Sequence, residues 1–334
     1  MSSIVEFPPE IITEIVLRLP IKHLLQCRCV SKPWCRMIDD PRFAKMYLSV
    51  DDNKPMSSPS SSIIVLVRRV LTGTFSDELY IAEDTDEGLV IKGTAKIDLP
   101  ISTYYAQNPS NGLVILEYDS RHYICNPATG KCLLIATESR KRLLFGMGFS
   151  LSSREFKVVQ VRTYFVVGAN THSSRFEVFT LGTQGRRTVG SLPYRLRCSC
   201  LYFNGSLHWI VHYDYSNMSS ESFMALRSVS FDLDSEAIGE FPKPEINFTS
   251  KLEVWIMKDY KVKESWTKQY SIIRSQLGSY WVEPICLRKN GDLLLHVDQE
   301  YFVSLYCKNH KARRHEVVGL DQEPQIKIFS ALPF

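Results

Sequence analysis

The 334-residue chain is short of most features that would mark an enzyme, a membrane protein or a secreted protein. Its longest apolar runs, such as SSIIVLV at 61–67, are too short to cross a bilayer. MSSIVEFPPE places an acid and two prolines where a targeting leader would carry basic and then apolar residues. The formal net charge is only +4, which gives no electrostatic signature of a nucleic-acid surface. Nine cysteines fall at irregular spacings without a Cys-x2-Cys pair. Cys198-x-Cys200 has too short a spacer for zinc. The expectation is therefore reduced, mostly buried thiols in a cytoplasmic or nuclear protein, with no metal and no cofactor. In that setting Asn204-Gly-Ser206, Asn217-Met-Ser219 and Asn247-Phe-Thr249 are chance matches to the glycosylation pattern.

Catalytic patterns are also missing. There is no Gly-x-Ser-x-Gly elbow and no His-Glu-x-x-His. Gly146-x-Gly148 lacks a third glycine and a following helix, so it is expected to be a turn between strands. Histidines such as His122, His208, His212 and His296 stand singly in strand-like stretches. Asp232 and Asp234 look like a turn-flanking pair rather than carboxylates set across a cleft. The basic cluster Lys308, His310, Lys311, Arg313, Arg314 is best explained as a solvated hairpin.

What is present divides the chain in two. From Phe7 to Leu48, apolar residues recur at helical spacing: Ile11, Ile12, Ile15, Val16 and Leu19, then Leu24, Leu25, Cys29 and Val30, then Trp34, Met37 and Ile38. Pro8 and Pro9 suit a helix start, and Pro20 a stop. Three or four short helices are predicted. About 40 residues cannot bury so much apolar surface among themselves. Some of it is expected to meet another chain, at roughly 1.5–3 kcal/mol for each side chain covered. Residues 51–62, DDNKPMSSPSSS, have the composition of a linker.

From residue 63 onward the pattern becomes short strands rich in Val, Ile, Tyr and Phe, broken by Gly, Asn, Asp and Pro. Asn-Gly opens a strand at Asn111, Asn204 and Asn290, recurring after 93 and then 86 residues, each close to twice the 40–50 residues of one propeller blade. An all-β domain of this size needs an architecture without exposed edges, and a propeller or closed barrel supplies one. Trp209, Trp255 and Trp266 are expected in its core. Tyr104, Tyr105, Tyr280 and Trp281, near turns, are the candidates for holding a partner.

Two family resemblances follow from these residues. Phe7-Pro8, Glu10, Ile11, Ile15, Leu19-Pro20, Leu24 and the CVSKPW run with Val30, Ser31 and Trp34 resemble an F-box. The second half resembles the F-box-associated domain of plant F-box proteins, kelch- or propeller-like in form. The matching residues are Asn111-Gly112-Leu113 with Asn126-Pro127-Ala128-Thr129, Gly146-Met147-Gly148-Phe149, Phe156-Lys157-Val158-Val159, Phe176-Glu177-Val178-Phe179, Asn204 to Trp209, Ser230 to Leu233, and Val254-Trp255 through Lys268.

The resemblance implies an F-box over residues 1–50 and a β-propeller-like domain over 63–334. It further implies docking to a Skp-type adaptor in a cullin–RING ubiquitin ligase through Pro8, Ile11, Ile15, Leu19, Pro20 and Trp34, with the β-domain holding a protein substrate. It implies no catalysis, no nucleic acid and no membrane. Alternatives are an F-box protein acting outside a cullin complex and a propeller hydrolase. Only KPEINFTSKLE separates Phe241-Pro242 from Val254-Trp255, where the family usually has a further strand or two, so one blade is expected to be short.

Overall fold

The computed structural model describes residues 8–19, 21–40, 42–43, 46–47, 62–71, 74–85, 88–95, 97, 105–110, 112–118, 121–127, 129–137 and 143–150. Beyond these it describes 151–169, 171–183, 185–211, 228–244, 251–273, 282–288, 290–298, 300–306, 312–315, 317–318 and 326–333. Of the 51–62 stretch expected as linker, 51–61 lie outside the described residues and Ser62 instead opens the first strand.

Three helices open the chain: α1 (Pro9–Leu17), α2 (Ile21–Cys27) and α3 (Lys32–Ile38). Proline at the first position of α1 loses no intrahelical bond, and Glu10 sits in the first turn, where the helix dipole favours an acid. Ser31 caps α3, its Oγ accepting from the Trp34 amide at 3.4 Å. Val16, Leu17, Leu24 and Phe43 form a small buried core, with Ile12, Trp34, Met37 and Ile38 packed against it. Tyr47 ties the end of this unit to its start by donating to the Leu19 carbonyl at 2.8 Å.

Beyond the helices, the described residues form antiparallel sheet, save for one short parallel pair, Val317–Val318 with Leu89–Val90. β1 (Ser62–Leu71), β2 (Thr74–Thr85) and β3 (Gly88–Ala95) begin the first sheet. β4 (Tyr105–Ser110), β5 (Leu113–Tyr118), β6 (Arg121–Cys125) and β7 (Cys132–Thr137) form the second. β8 (Leu143–Ser150), β9 (Glu155–Val166), β10 (Thr171–Thr180) and β11 (Arg187–Leu192) form the third. β12 (Leu196–Phe203), β13 (Ser206–Val211), β14 (Ser228–Asp232) and β15 (Ile238–Phe241) form the fourth. β16 (Lys251–Met257) and β17 (Trp266–Ile273) are a two-stranded sheet among the described residues, at the place where a short blade is expected. β18 (Val282–Leu287), β19 (Leu293–Val297), β20 (Tyr301–Leu305) and β21 (Ala312–His315) form the last sheet. β22 (Val317–Val318) and β23 (Ile326–Pro333) then return to the first, which reads β22-β3-β2-β1-β23.

Each four-stranded sheet is a simple meander, the repeating unit of a propeller. The Asn-Gly repeat falls at equivalent turns, β4–β5, β12–β13 and β18–β19, so each interval spans two sheets. Positive φ at Gly112 (77°), Gly205 (70°) and Gly291 (84°) explains the residue choice.

Successive sheets are joined by apolar cores. Ile64 and Leu66 face Val114 and Leu116 of the second sheet, while Ile63, Val65 and Val67 face Ile285, Leu294 and Phe302 of the last. Strand β1 is thus buried on both faces, which is why SIIVLV is an unbroken apolar run. The ring closes here, where β23 pairs with β1 from Ile63↔Pro333 to Arg69↔Ile326. A buried polar clasp supports this joint. Arg288 binds Asp84 with nitrogen–oxygen distances of 2.8–3.0 Å, and it also reaches Ser304 at 2.9 Å and the Thr85 carbonyl.

Several expectations are corrected. Gly146 and Gly148 lie inside strand β8 rather than in a turn. A Cβ on Gly146 would sit 2.4 Å from the Cys200 sulfur, and one on Gly148 would sit 2.4 Å from the Tyr202 ring, so glycine marks the close approach of β8 to β12. Nor are all the cysteines reduced. Cys125 and Cys132 are directly opposed on β6 and β7, with Cα atoms 4.1 Å apart, and are disulfide-bonded. Cys29 is exposed rather than buried. Among the tryptophans, Trp209 is core, whereas Trp255 and Trp266 are half-buried.

Two stability predictions follow from this architecture. Asp84→Ala strands the buried Arg288 charge and should cost about 3–5 kcal/mol in denaturant unfolding, whereas replacing both partners with apolar residues should cost far less. His122 is buried against the Phe145 ring, with neither ring nitrogen hydrogen-bonded among the described residues. Burial lowers its pKa to about 4, since Glu117 at 3.7 Å is too far to bond it. Because the unfolded imidazole takes up its proton nearer pH 6.5, this stability is full above that value and is lost as pH falls toward 4, up to about 3 kcal/mol. His122→Phe should flatten that part of the pH–stability curve.

Candidate functional site

The helical unit turns one face of α1 inward and the other outward. Val16 and Leu17 are in its core. Ile11 and Ile15, one turn apart, are 46% and 54% exposed. With Glu10, Glu14 and Arg18 they line a shallow cleft of about 350 Å³. Pro8, also exposed, anchors the start of this face through its carbonyl, which accepts from the Ile11 amide at 3.0 Å. Glu14 and Arg18 form an i,i+4 ion pair at 3.6 Å along the rim. The arrangement is an apolar stripe with a charged border, in form a protein-docking surface rather than a catalytic one.

The sequence candidates fare differently. Pro8, Ile11 and Ile15 come together on this face. Leu19 is half-buried, in the turn after α1, and Trp34 is half-buried with one side on the helical core. Pro20 lies outside the described residues. Val30, which could have been core, is instead 64% exposed just before α3. Nearby, Arg28 grips Asp39 at 2.8 and 3.0 Å, and these hydrogen bonds hold the Asp39 carboxyl below its usual range.

On the β side, Tyr105 opens β4 opposite Glu117, so its backbone is at the rim of the second sheet. Tyr104, Tyr280 and Trp281 lie outside the described residues. Sequence reasoning missed the exposed apolar residues Phe165 and Val167, at the tip of the β9–β10 hairpin. The signal was available in FKVVQVRTYFVV, whose alternation runs longer than a blade strand needs.

The polar clusters serve turns and joints. Asp232 accepts from the Asp234 and Ser235 amides, and Asp234 accepts from Ser150 and Ser152. Burial raises both carboxyl pKa values, but these bonds outweigh it and hold them low. His208 reaches the Tyr260 hydroxyl at 2.9 Å and packs on Phe241, joining the fourth sheet to the β16–β17 hairpin. Among the described residues, no group of three or more His, Cys, Asp or Glu is placed to hold a metal. No helix among them is long and apolar enough to cross a membrane.

A small helical unit with an outward apolar face, followed by a ring of antiparallel meanders, defines a docking module joined to a β-propeller. Comparison with known proteins gives this class its family. Residues 4–46 match the F-box domain, and residues 79–249 match the F-box associated beta propeller domain. The chain belongs to the plant F-box proteins that carry an F-box-associated β-propeller domain.

Similar proteins from Arabidopsis thaliana include the F-box protein At3g07870, 25% identical, covering 89% of this chain and 84% of its own length. The F-box protein CPR1 from the same plant is 24% identical, covering 79% of this chain and 72% of its own. Among solved structures, an acylaminoacyl peptidase from Pyrococcus horikoshii overlaps 77% of this chain and 45% of its own, with 10% identity and a TM-score of 0.38, too low to add to the fold.

The geometry of α1 predicts opposite outcomes for neighbouring positions. Ile15→Asp should leave thermal unfolding within about 0.5 kcal/mol of the parent, because the side chain is already in water. Val16→Asp should unfold the helical unit, lowering helical circular dichroism.

Proposed function

We propose that this protein is the substrate-recognition subunit of a Skp–cullin–F-box ubiquitin ligase. Residues 1–50 dock to a Skp-type adaptor, and the propeller of residues 63–334 holds the protein to be ubiquitinated, in the cytoplasm, the nucleus or both. The subunit does no chemistry of its own. It raises the effective concentration of its cargo near the ligase. The observation that carries this reading is the solvent-facing Ile11–Ile15 stripe on α1, which the helical unit leaves uncovered although its opposite face is packed. Covering such side chains is worth roughly 1.5–3 kcal/mol each.

The test is co-purification with a Skp-type adaptor. Because each side chain is exposed, Ile11→Asp with Ile15→Asp should abolish capture while leaving the fold intact. Trp34→Ala is the weaker probe, since Trp34 also packs on the helical core. Retained capture by the double variant overturns the assignment of the docking face. Capture of the adaptor without a cullin would favour an F-box protein working outside the ligase.

A further inference from the structure

Strand β7 is held unlike the other outer strands. Across the middle of the ring β4 adjoins β8, β12 and β23, so β7, at the other end of the second sheet, is its outer edge among the described residues. The outer strands of the third, fourth and last sheets carry charge: Arg187 on β11, Glu240 on β15, Arg313 and Arg314 on β21. Charge on an edge keeps foreign strands from pairing with it. β7 reads CLLIAT and has none. Its Leu133 and Leu134 are 48% and 47% exposed.

What fixes the start of β7 is covalent. Cys132, its first residue, is directly opposite Cys125 of β6 and bonded to it across the Asn126–Lys131 turn. Further along, Ile135 is buried in the core toward the third sheet, and its carbonyl accepts from Arg186. Between these two fixings lie Leu133 and Leu134, paired with Ile124 and Tyr123. The hold on Cys132 to Leu134 therefore depends on the disulfide.

The two sulfurs are unequal. Cys125 has no exposed surface and lies with Ile64, Leu66, Val114 and Leu116 in the core between the first two sheets. Cys132 is half-buried at the margin of that core. A thiolate from solution thus meets the bond at Cys132, and Cys125 is the sulfur left behind.

We propose that Cys125–Cys132 is a reversible redox latch on β7, opened and closed by glutathione. This goes beyond the receptor reading and takes from it only the compartment: the cytoplasm and nucleus keep thiols reduced, and disulfides there are made and broken. In opening, a glutathione thiolate attacks the Cys132 sulfur, the bond to Cys125 breaks, and Cys125 leaves as a thiolate and takes a proton. A second glutathione thiolate attacks the sulfur of the first, which departs from Cys132 as part of glutathione disulfide, and Cys132 takes a proton. Two glutathione thiols are oxidised to one disulfide as the protein disulfide is reduced to two thiols, and closure is the reverse. Closed, β7 is pinned to β6. Open, residues 132–134 fray and uncover the edge of β6.

The test uses the full chain equilibrated in glutathione buffers running from reduced to oxidised, with free thiols trapped by alkylation and mapped by mass. The pair should open and close reversibly. Opening should speed amide exchange in peptides covering residues 130–134 by about tenfold or more. Cys125→Val with Cys132→Val keeps an apolar pair on the two strands and should exchange alike at every glutathione ratio. The comparison of the two states of the parent chain stands without that variant.

A disulfide that stays closed in reduced glutathione, one that never forms in the oxidised buffer, or equal exchange in the two states would overturn the latch. So would a redox response that persists in the double valine variant. Adaptor capture is scored on the same preparations. Loss of the redox response with capture intact sinks only this inference, and a redox response without adaptor capture sinks only the ligase reading.

Discussion

The propeller depends on one long-range contact, the pairing of the last strand with the first. β23 pairs with β1 at the edge of the first sheet that meets β4 and β18, and β1 is the strand whose two faces build the cores toward both neighbouring sheets. Arg288 and Asp84 add a buried charged clasp at the same seam. Desolvating such a pair is expensive, so its value lies less in net stability than in requiring one alignment of the first and last sheets. The joint between the third and fourth sheets packs Phe176 edge-on against Trp209, stacks it on Phe231 and adds the Lys157–Glu236 ion pair. The joint between the fourth sheet and the β16–β17 hairpin is built on His208, Phe203, Phe241 and Tyr260.

The sequence exposed some strands and concealed others for a physical reason. Second and third strands of the sheets, such as FKVVQV and YFVSLY, are rich in β-branched and aromatic residues because they are covered on both faces by neighbouring sheets. First strands are different. YAQNPS, LLFGMGFS and LRCSCLYF carry Gly, Ser, Asn and Cys, because β8 and β12 approach too closely for large side chains. These residues mimic turn composition, and Gly146-x-Gly148 was read as a turn on that account. The disulfide was invisible for another reason: a pairing between Cys125 and Cys132 depends on strand register, which spacing alone does not give.

The docking face was legible to about the level of the helix. Periodicity identified α1 and its two apolar stripes, but not which stripe faced water. That depended on how α2, α3 and Phe43 packed, and it put Val16 inside and Ile15 outside. Val30, just before the Ser31 cap, is likewise on the outside. On the propeller, Tyr104, Tyr280 and Trp281 lie outside the described residues, and the one exposed aromatic among the described residues is Phe165, at the end of the β9–β10 hairpin.

The closing strand has a consequence for biosynthesis. As the ribosome extends the chain, α1 to α3 have their packing partners close in sequence, whereas β1 must wait for β23. Until then the strand that seeds two cores has an open edge, and long-range pairings of this kind form slowly. The helical unit can thus be complete while the ring is still open. Any truncation that removes β23 would leave folded helices beside a ring without its closing strand.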